Sequence, residues 1–240
     1  MRLAILMTNT DDSDFSQSHP LDGEKWCRAI HAVRPDWKLD VFAVKDGIFP
    51  ESFDIFDGAI ITGSPASVHD QTPWMVRLSD VIRRSHADRF PLFGACFGHQ
   101  AIALALGGEV TKNPQGWAFG TVEVETLSPP DWMGPGSLTQ YAAHIEQVSK
   151  LPENARPVLR AAGCETGGYT MGHHIFCSQY HPEMSHEFIT ALVEELAESK
   201  PADVIERARD SLKTHAQNVL FMGWVARFFE QAKPSTQSGQ

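Results

Sequence analysis

The sequence predicts an α/β fold: a mostly parallel central sheet between helical layers, a small antiparallel β extension, and C-terminal helices. Three observations carry this expectation. Short apolar runs without polar alternation recur in the first hundred residues ("RLAILMT", "DGAIIT", "FPLFGA"), as suits strands buried on both faces. Stretches of helical periodicity separate them. From about 110 to 180 the pattern changes to short alternating segments divided by glycine and proline, as in antiparallel strands.

Taken in order, 2–8 reads as a buried first strand and 22–33 as a helix, with further strands at 37–44 and 57–62. Thr72 is placed to cap, and Pro73 to open, a helix over 73–87, because the first helical position tolerates a missing N–H. Strand 90–95 follows, then a helix that starts at the glycines around Cys96. Residues 186–199 return to helix, and 201–232 form a C-terminal helical extension of one or two helices. Leu212, Val219, Leu220, Trp224 and Phe228 make its apolar face, expected to cover the core in preference to docking a partner. The last stretch, 233–240 ("KPSTQSGQ"), is expected to be a flexible tail on a single domain spanning 1–232.

Composition narrows the function. With 30 acidic against 20 basic residues the net charge is −10, which disfavours a nucleic-acid or membrane surface built on clustered Lys and Arg. No run of about 18 apolar residues is present, so no membrane span is expected. The N-terminus lacks a small-residue cleavage site, and Cys27, Cys96, Cys164 and Cys177 form no CxxC pair. Free thiols in the cytoplasm are the expectation. Eleven histidines invite a metal site, above all His173-His174 and His181/His186, but there is no HExxH. No metal or cofactor is expected.

Three segments carry chemistry. In "FPLFGACFGHQAIALAL", strand, sharp turn and helix meet at Cys96, with Gly94 and Gly98 two residues to either side. This is the elbow logic that lifts a nucleophile above a sheet, and the positive end of the following helix favours a thiolate there. A small buried hydrophobe would fit the same spot. In "FCSQYHPEM", His181 and Glu183 are two apart on extended backbone and project to one side, a base with its orienter. Alone, the pair is more often an ordinary contact at a strand end than a catalytic one. In "AIITGSPASVHD", a strand runs directly into Gly63-Ser64-Pro65, where backbone N–H groups can face a carbonyl attacked by Cys96; the N–H of Phe97 is the second such donor. A cysteine at an elbow followed 85 residues later by a His-x-Glu pair, each at the end of an apolar strand, is far rarer than either alone.

These residues resemble the class I (triad-type) glutamine amidotransferases. "GACFGHQ" fits their G-x-C-x-G-x-Q elbow, "YHPE" their HPE box, and "TGSPASVHD" the glycine-rich oxyanion segment of the GMP synthase amidotransferase domain. The similarity covers roughly 1–190 and implies a flavodoxin-like three-layer sandwich. It implies Cys96 as nucleophile, His181 as general base and acid, and Glu183 as its orienter. It places the N–H groups of Ser64 and Phe97 in the oxyanion hole beside Gly63, and Gln100 at the amino-acid end of the substrate. "YAAHIEQV" aligns with the family's S-H-G-D-x-V strand and sets Ala143, His144 and Ile145 beside the bound substrate. Ser64 stands where the family commonly has Gly, and Ala143 and Ile145 replace Ser and Gly, so a side-chain contact from the first is lost.

The resemblance implies attack on a γ-carboxamide through a γ-glutamyl thioester, without metal. The C-terminal extension and "NPQGWAFGTVEVE" are similar to stand-alone members that include γ-glutamyl peptidases, with Trp117 on the leaving-group side. No P-loop, GxGxxG or pyrophosphatase loop follows residue 185. The expected function is therefore hydrolysis of a γ-glutamyl amide, either glutamine or a conjugate. The alternatives are a glutaminase subunit that passes ammonia to a synthetase partner, and a non-catalytic regulatory relative. Oligomeric state stays open.

Overall fold

A computed structural model describes residues 1–232, so the expected tail at 233–240 lies outside the described residues. The first half of the chain contains β1 (Arg2–Met7), α1 (Asp14–Gln17), α2 (Asp22–His31), β2 (Lys38–Ala43), β3 (Gly58–Ile61), α3 (Pro73–Ala87), β4 (Leu92–Ala95) and α4 (Phe97–Ala105). Then come β5 (Glu109–Lys112), β6 (Ala118–Thr126), β7 (Ser137–His144), β8 (Glu146–Lys150), β9 (Arg156–Ala161), β10 (Cys164–Met171) and β11 (Ile175–Ser178). Three helices close the chain: α5 (His186–Glu195), α6 (Ala202–Ser211) and α7 (Asn218–Ala232).

Nine strands make one sheet in the order β2-β1-β3-β4-β11-β10-β9-β6-β7. The first five are parallel to their neighbours, and from β11 onward every pairing is antiparallel. The antiparallel extension thus continues the central sheet, with only β5 and β8 forming a separate two-stranded ladder. The unbroken apolar runs behave as their composition demands, with β3 and β4 buried at every residue; β11, from the stretch expected to alternate in antiparallel strands, is equally buried and runs parallel to β4.

Successive residues of β1 serve opposite faces, as the two-residue strand period requires. Leu3 and Ile5 pack with Trp26, Phe93, Phe176, Phe221 and Phe228 beneath α2 and α7. Ala4 and Leu6 pack with Leu78, Ile82, Phe97 and Ile102 beneath α3 and α4. A third cluster joins α5 and α6 to β6 and β7 through Phe119, Tyr141, Ile189 and Ile205. This is a mixed α/β sandwich with helices on both faces of the sheet.

Three local expectations are corrected. The apolar face of the C-terminal extension includes Leu212, Trp224 and Phe228, but Val219 and Leu220 point outward at 68% and 47% exposure. The buried stripe of α7 runs instead through Phe221, Met222, Trp224, Val225, Phe228 and Phe229. Burying each such side chain is worth about 1.5–3 kcal/mol, so α7 is integral to the core. Strand 141–148 is broken at Ile145, between β7 and β8. Thr72 does stand at the start of α3 with Pro73 in the first turn, but its side chain makes no capping bond.

Candidate active site

The site lies where β1, β3, β4 and β11 end, the edge at which ligands bind in open α/β sheets. Cys96 occupies the single residue between β4 and α4 and adopts φ 47°, ψ −101°. A non-glycine residue with positive φ typically costs about 1–3 kcal/mol and persists only where its surroundings hold it. Here its N–H donates to Ser178 O at 2.8 Å, while Gly98 N–H donates to Thr62 O at 3.2 Å. The glycines have a concrete reason: a Cβ on Gly98 would lie 2.4 Å from Ile61 O, and one on Gly94 would lie 2.6 Å from the Gly98 backbone. Without them α4 could not approach β3, and Cys96 would not stand at the sheet edge.

The register of β4 with β11 brings the second segment in. Ser178 pairs with Ala95, so the chain leaving β11 passes directly beside Cys96. His181 and Glu183 follow, both buried, and His181 Nδ1–H donates to Glu183 Oε1 at 2.8 Å. The other ring nitrogen, Nε2, is buried without a full hydrogen bond among the described residues. Burial works against the imidazolium, yet the nearby Cys96 sulfur and Glu183 carboxylate outweigh it. They hold His181 well above the usual imidazole range. An imidazolium stabilised between sulfur and carboxylate can hand a proton to a departing group and take one from water.

The third segment is aimed by Thr8. Its N–H donates to Thr62 Oγ1 at 3.0 Å, and its hydroxyl lies 3.0 Å from both Thr62 O and Gly63 O. The Gly63 carbonyl therefore points to β1. Because the peptide is trans, the Ser64 N–H points the other way, to the β4 side of β3. A Cβ on Gly63 would sit 2.9 Å from His181 Cε1 and 3.7 Å from Cys96 Cβ. Only glycine leaves that space open. The Ser64 hydroxyl accepts from Ala66 N at 3.2 Å and lies 3.5 Å from the Thr10 hydroxyl.

A cavity of about 630 Å³ opens over these ends. Gly63, Ser64, Cys96, Gln100, Trp117, Ala143, His144, Ile145 and His181 all line it. Glu183 stands behind His181. The Phe97 side chain faces away, against Trp74 with ring centroids 5.6 Å apart, so only its backbone belongs to the site. Gln100 donates through Nε2 to Glu146 O at 2.7 Å and to Gln179 Oε1 at 3.2 Å, which spends its amide hydrogens on the protein. His144 is held through Nδ1 by Glu146 O at 3.1 Å, and burial pushes it down to about 4, leaving a neutral ring at the wall.

Several residues of the site are not legible in the sequence. Glu146 lines the cavity with its carboxylate held by Ser67 Oγ at 3.1 and 2.9 Å. The alignment of "AAHIEQV" with S-H-G-D-x-V could have pointed to it, since Glu stands at the acidic position. Gln179, fully buried, donates through Nε2 to the Cys96 sulfur at 3.5 Å. Asp22 and Lys25, a buried ion pair at 2.9 Å, also line the cavity, with Lys25 Nζ 3.4 Å from the Phe188 ring centroid. Among the described residues no cluster of three or more His, Cys, Asp or Glu is arranged to hold a metal, and His173-His174 lies at the far end of β11. No helix among them is long and apolar enough to cross a membrane.

Comparison with known proteins agrees with this architecture. Gamma-glutamyl peptidase 3 of Arabidopsis thaliana is 28% identical over 205 residues, covering 80% of this chain and 77% of its own. A glutamine-hydrolysing GMP synthase subunit of Methanosarcina barkeri is 33% identical over 172 residues, covering 68% and 84%. A glutamine amidotransferase of Thermotoga maritima shares the fold, with a TM-score of 0.74 and 21% identity over 95% of this chain and 97% of its own. The sequence profile of the glutamine amidotransferase class-I family matches residues 32–195, a span that contains the Gly63 loop, the Cys96 elbow and the His181–Glu183 pair. The chain belongs to the class-I glutamine amidotransferase family.

Proposed function

We propose that the protein hydrolyses the γ-amide of a γ-glutamyl substrate, with Cys96 as nucleophile, His181 as acid and base, and Glu183 as its orienter. The observation that carries the reading is the pairing of Ser178 with Ala95, which sets a strained cysteine beside a buried His–Glu pair at one sheet edge. The relatives support it at family level: one is named a gamma-glutamyl peptidase and another a glutamine-hydrolysing subunit.

The sulfur attacks the γ-carbonyl carbon, and the displaced π pair moves to the oxygen, facing the N–H groups of Ser64 and Phe97. Collapse breaks the C–N bond. The His181 Nε2 proton goes to the departing nitrogen, leaving a thioester on Cys96. Water then adds to the thioester carbon and gives its proton to Nε2. The C–S bond breaks, so glutamate leaves and the imidazolium–thiolate pair is restored. Gln100, Ala143, His144, Ile145 and Glu146 cradle the glutamyl part, with Trp117 on the side of the leaving amine.

A second reading follows from the GMP synthase relative, whose name makes it one subunit of a larger enzyme: the same chemistry feeding ammonia to a partner. Glutamate release from glutamine and γ-glutamyl dipeptides by wild type and Cys96→Ala, with and without cell extract, separates the readings. Extract-dependent glutaminase activity favours the ammonia-delivering role. Release from no substrate in either condition overturns both. A γ-glutamyl chloroketone is expected to label Cys96, and labelling of Cys27, Cys164 or Cys177 instead overturns the nucleophile.

A further inference from the structure

Helix α5 carries two apolar faces, one fully buried in the core and one only partly packed against it. Ile189 and Val193 are completely buried against β6 and α6. Phe188, Leu192 and Leu196 are only partly buried and line the cavity that holds Cys96 and His181. With Met184 they recur every fourth residue, a single stripe on the helix and its flanks. Trp117 and Phe119 from β6 and its N-terminal flank complete the same wall. A helix that only covered a sheet would need one apolar stripe; a second, partly exposed and facing a cavity, leaves apolar surface for a ligand to cover.

The wall begins at the catalytic turn itself, for Met184 N–H donates to His181 O at 3.3 Å. A departing nitrogen must sit within hydrogen-bond reach of His181 Nε2 to take its proton. Its substituent is therefore directed along this wall. Ammonia, the leaving group of glutamine, is about the size of a water molecule, roughly 30 Å³, and would not reach along this wall beyond the glutamyl part that shares the 630 Å³ cavity. The Lys25 charge is already met by Asp22, whereas Lys200, 4.3 Å from the Trp117 ring centroid, makes no ion pair among the described residues.

From this we infer that the cavity beyond His181 is a pocket for a bulky apolar amine. The preferred substrates are then γ-glutamyl amides of arylalkyl amines or of apolar amino acids, not glutamine. The inference rests on the hydrolase reading above and adds the substrate class. The two sources share an apolar substituent on the scissile nitrogen and differ in a carboxylate, for which Lys200 is the available cation.

The test compares γ-glutamyl-phenethylamide, γ-glutamyl-phenylalanine, γ-glutamyl-glycine and glutamine with the full chain. At least one aromatic substrate is expected to exceed the glycine conjugate and glutamine about tenfold or more in kcat/KM. The two aromatic arms tell the amine from the amino acid. Phe188→Ala is expected to lower the aromatic-to-glycine ratio about tenfold, and Leu192→Gln gives the same reading should Phe188→Ala not fold. Equal or better turnover of glycine conjugate or glutamine overturns the pocket. Calorimetric binding to Cys96→Ala keeps two failures apart. Tighter binding of the aromatic amide without cleavage by wild type keeps the pocket and overturns the hydrolase, whereas equal binding of aromatic and glycine amides overturns the pocket.

Discussion

Gln179 Nε2 donates to the Cys96 sulfur at 3.5 Å, while its Oε1 accepts from Gln100 Nε2 at 3.2 Å. The residue is fully buried and directly follows the pair Ser178–Ala95, so the sheet register sets its amide opposite the nucleophile. A hydrogen bond to sulfur from a fixed amide favours the charged form. The same side chain, through Gln100 and Glu146 O, ties the nucleophile to the wall of the substrate cradle.

Replacing that amide by a carboxylate tests the link. Gln179→Glu sets a carboxylate where the amide donor stood, and alkylation of Cys96 by iodoacetamide at pH 7 is expected to slow about tenfold or more. Gln179→Leu, which removes only the donor, is expected to slow it less. Unchanged rates in both variants leave Gln179 without a role at the sulfur.

Gly63 has no room for a methyl group, with His181 Cε1 2.9 Å from where it would stand. Gly63→Ala is expected to displace the imidazole or turn the Ser64 N–H, cutting kcat by about 10²-fold or more while thermal unfolding stays near that of wild type. Activity within about twofold of wild type would put the oxyanion donor elsewhere.

Glu183 supplies charge as well as orientation to His181. Glu183→Gln keeps the shape and removes the charge, so the imidazolium loses part of what raises it. The expected result is a fall in kcat of about 10²–10⁴-fold and an alkaline limb of the pH–rate profile displaced to lower pH. A limb that stays in place would mean that Glu183 only positions the ring.

Three buried histidines set an acid limit on stability. His99 is pushed down to about 3, and His144 and His174 to about 4, each first by burial; His144 adds to the effect on His99, and His86, Arg89 and His173 to that on His174. Their unfolded-state value is near 6.5, so between that pH and about 4 the unfolded chain binds more protons than the folded one. The contribution of these three rings is full above pH 6.5 and falls on acidification, by up to about 1.4 kcal/mol per pH unit for each histidine. Urea unfolding at pH 7, 5.5 and 4.5 should show this slope, and His174→Gln should flatten it. A flat wild-type profile would mean that these rings are charged in the fold.

Legibility differs between elements for physical reasons. The inner strands β1, β3 and β4 can be read because burial on both faces demands unbroken apolar composition. The elbow can be read because a tight strand-to-helix corner demands small residues around one lifted side chain. α1 cannot: its four residues, capped by the Ser13 hydroxyl, are too few for any periodicity to register. The phase of α7 is ambiguous because "NVLFMGWVARFF" is apolar nearly all round, and several stripes fit it equally well. Val219 and Leu220 belong to one such stripe, but Phe221 and Val225 are the residues that turn inward.

By itself, the sequence determined the layer architecture, the three chemical segments and their place at strand ends, since each follows from local composition and spacing. Only the tertiary structure decided what faces what. Setting β11 beside β4 fixes the register that brings Gln179 to the Cys96 sulfur and His181 to the Gly63 loop. Folding α5 over β6 turns a second apolar stripe into a cavity wall beyond the same histidine. Pairings between segments far apart in the chain depend on how whole faces pack, and no window of local residues contains that information.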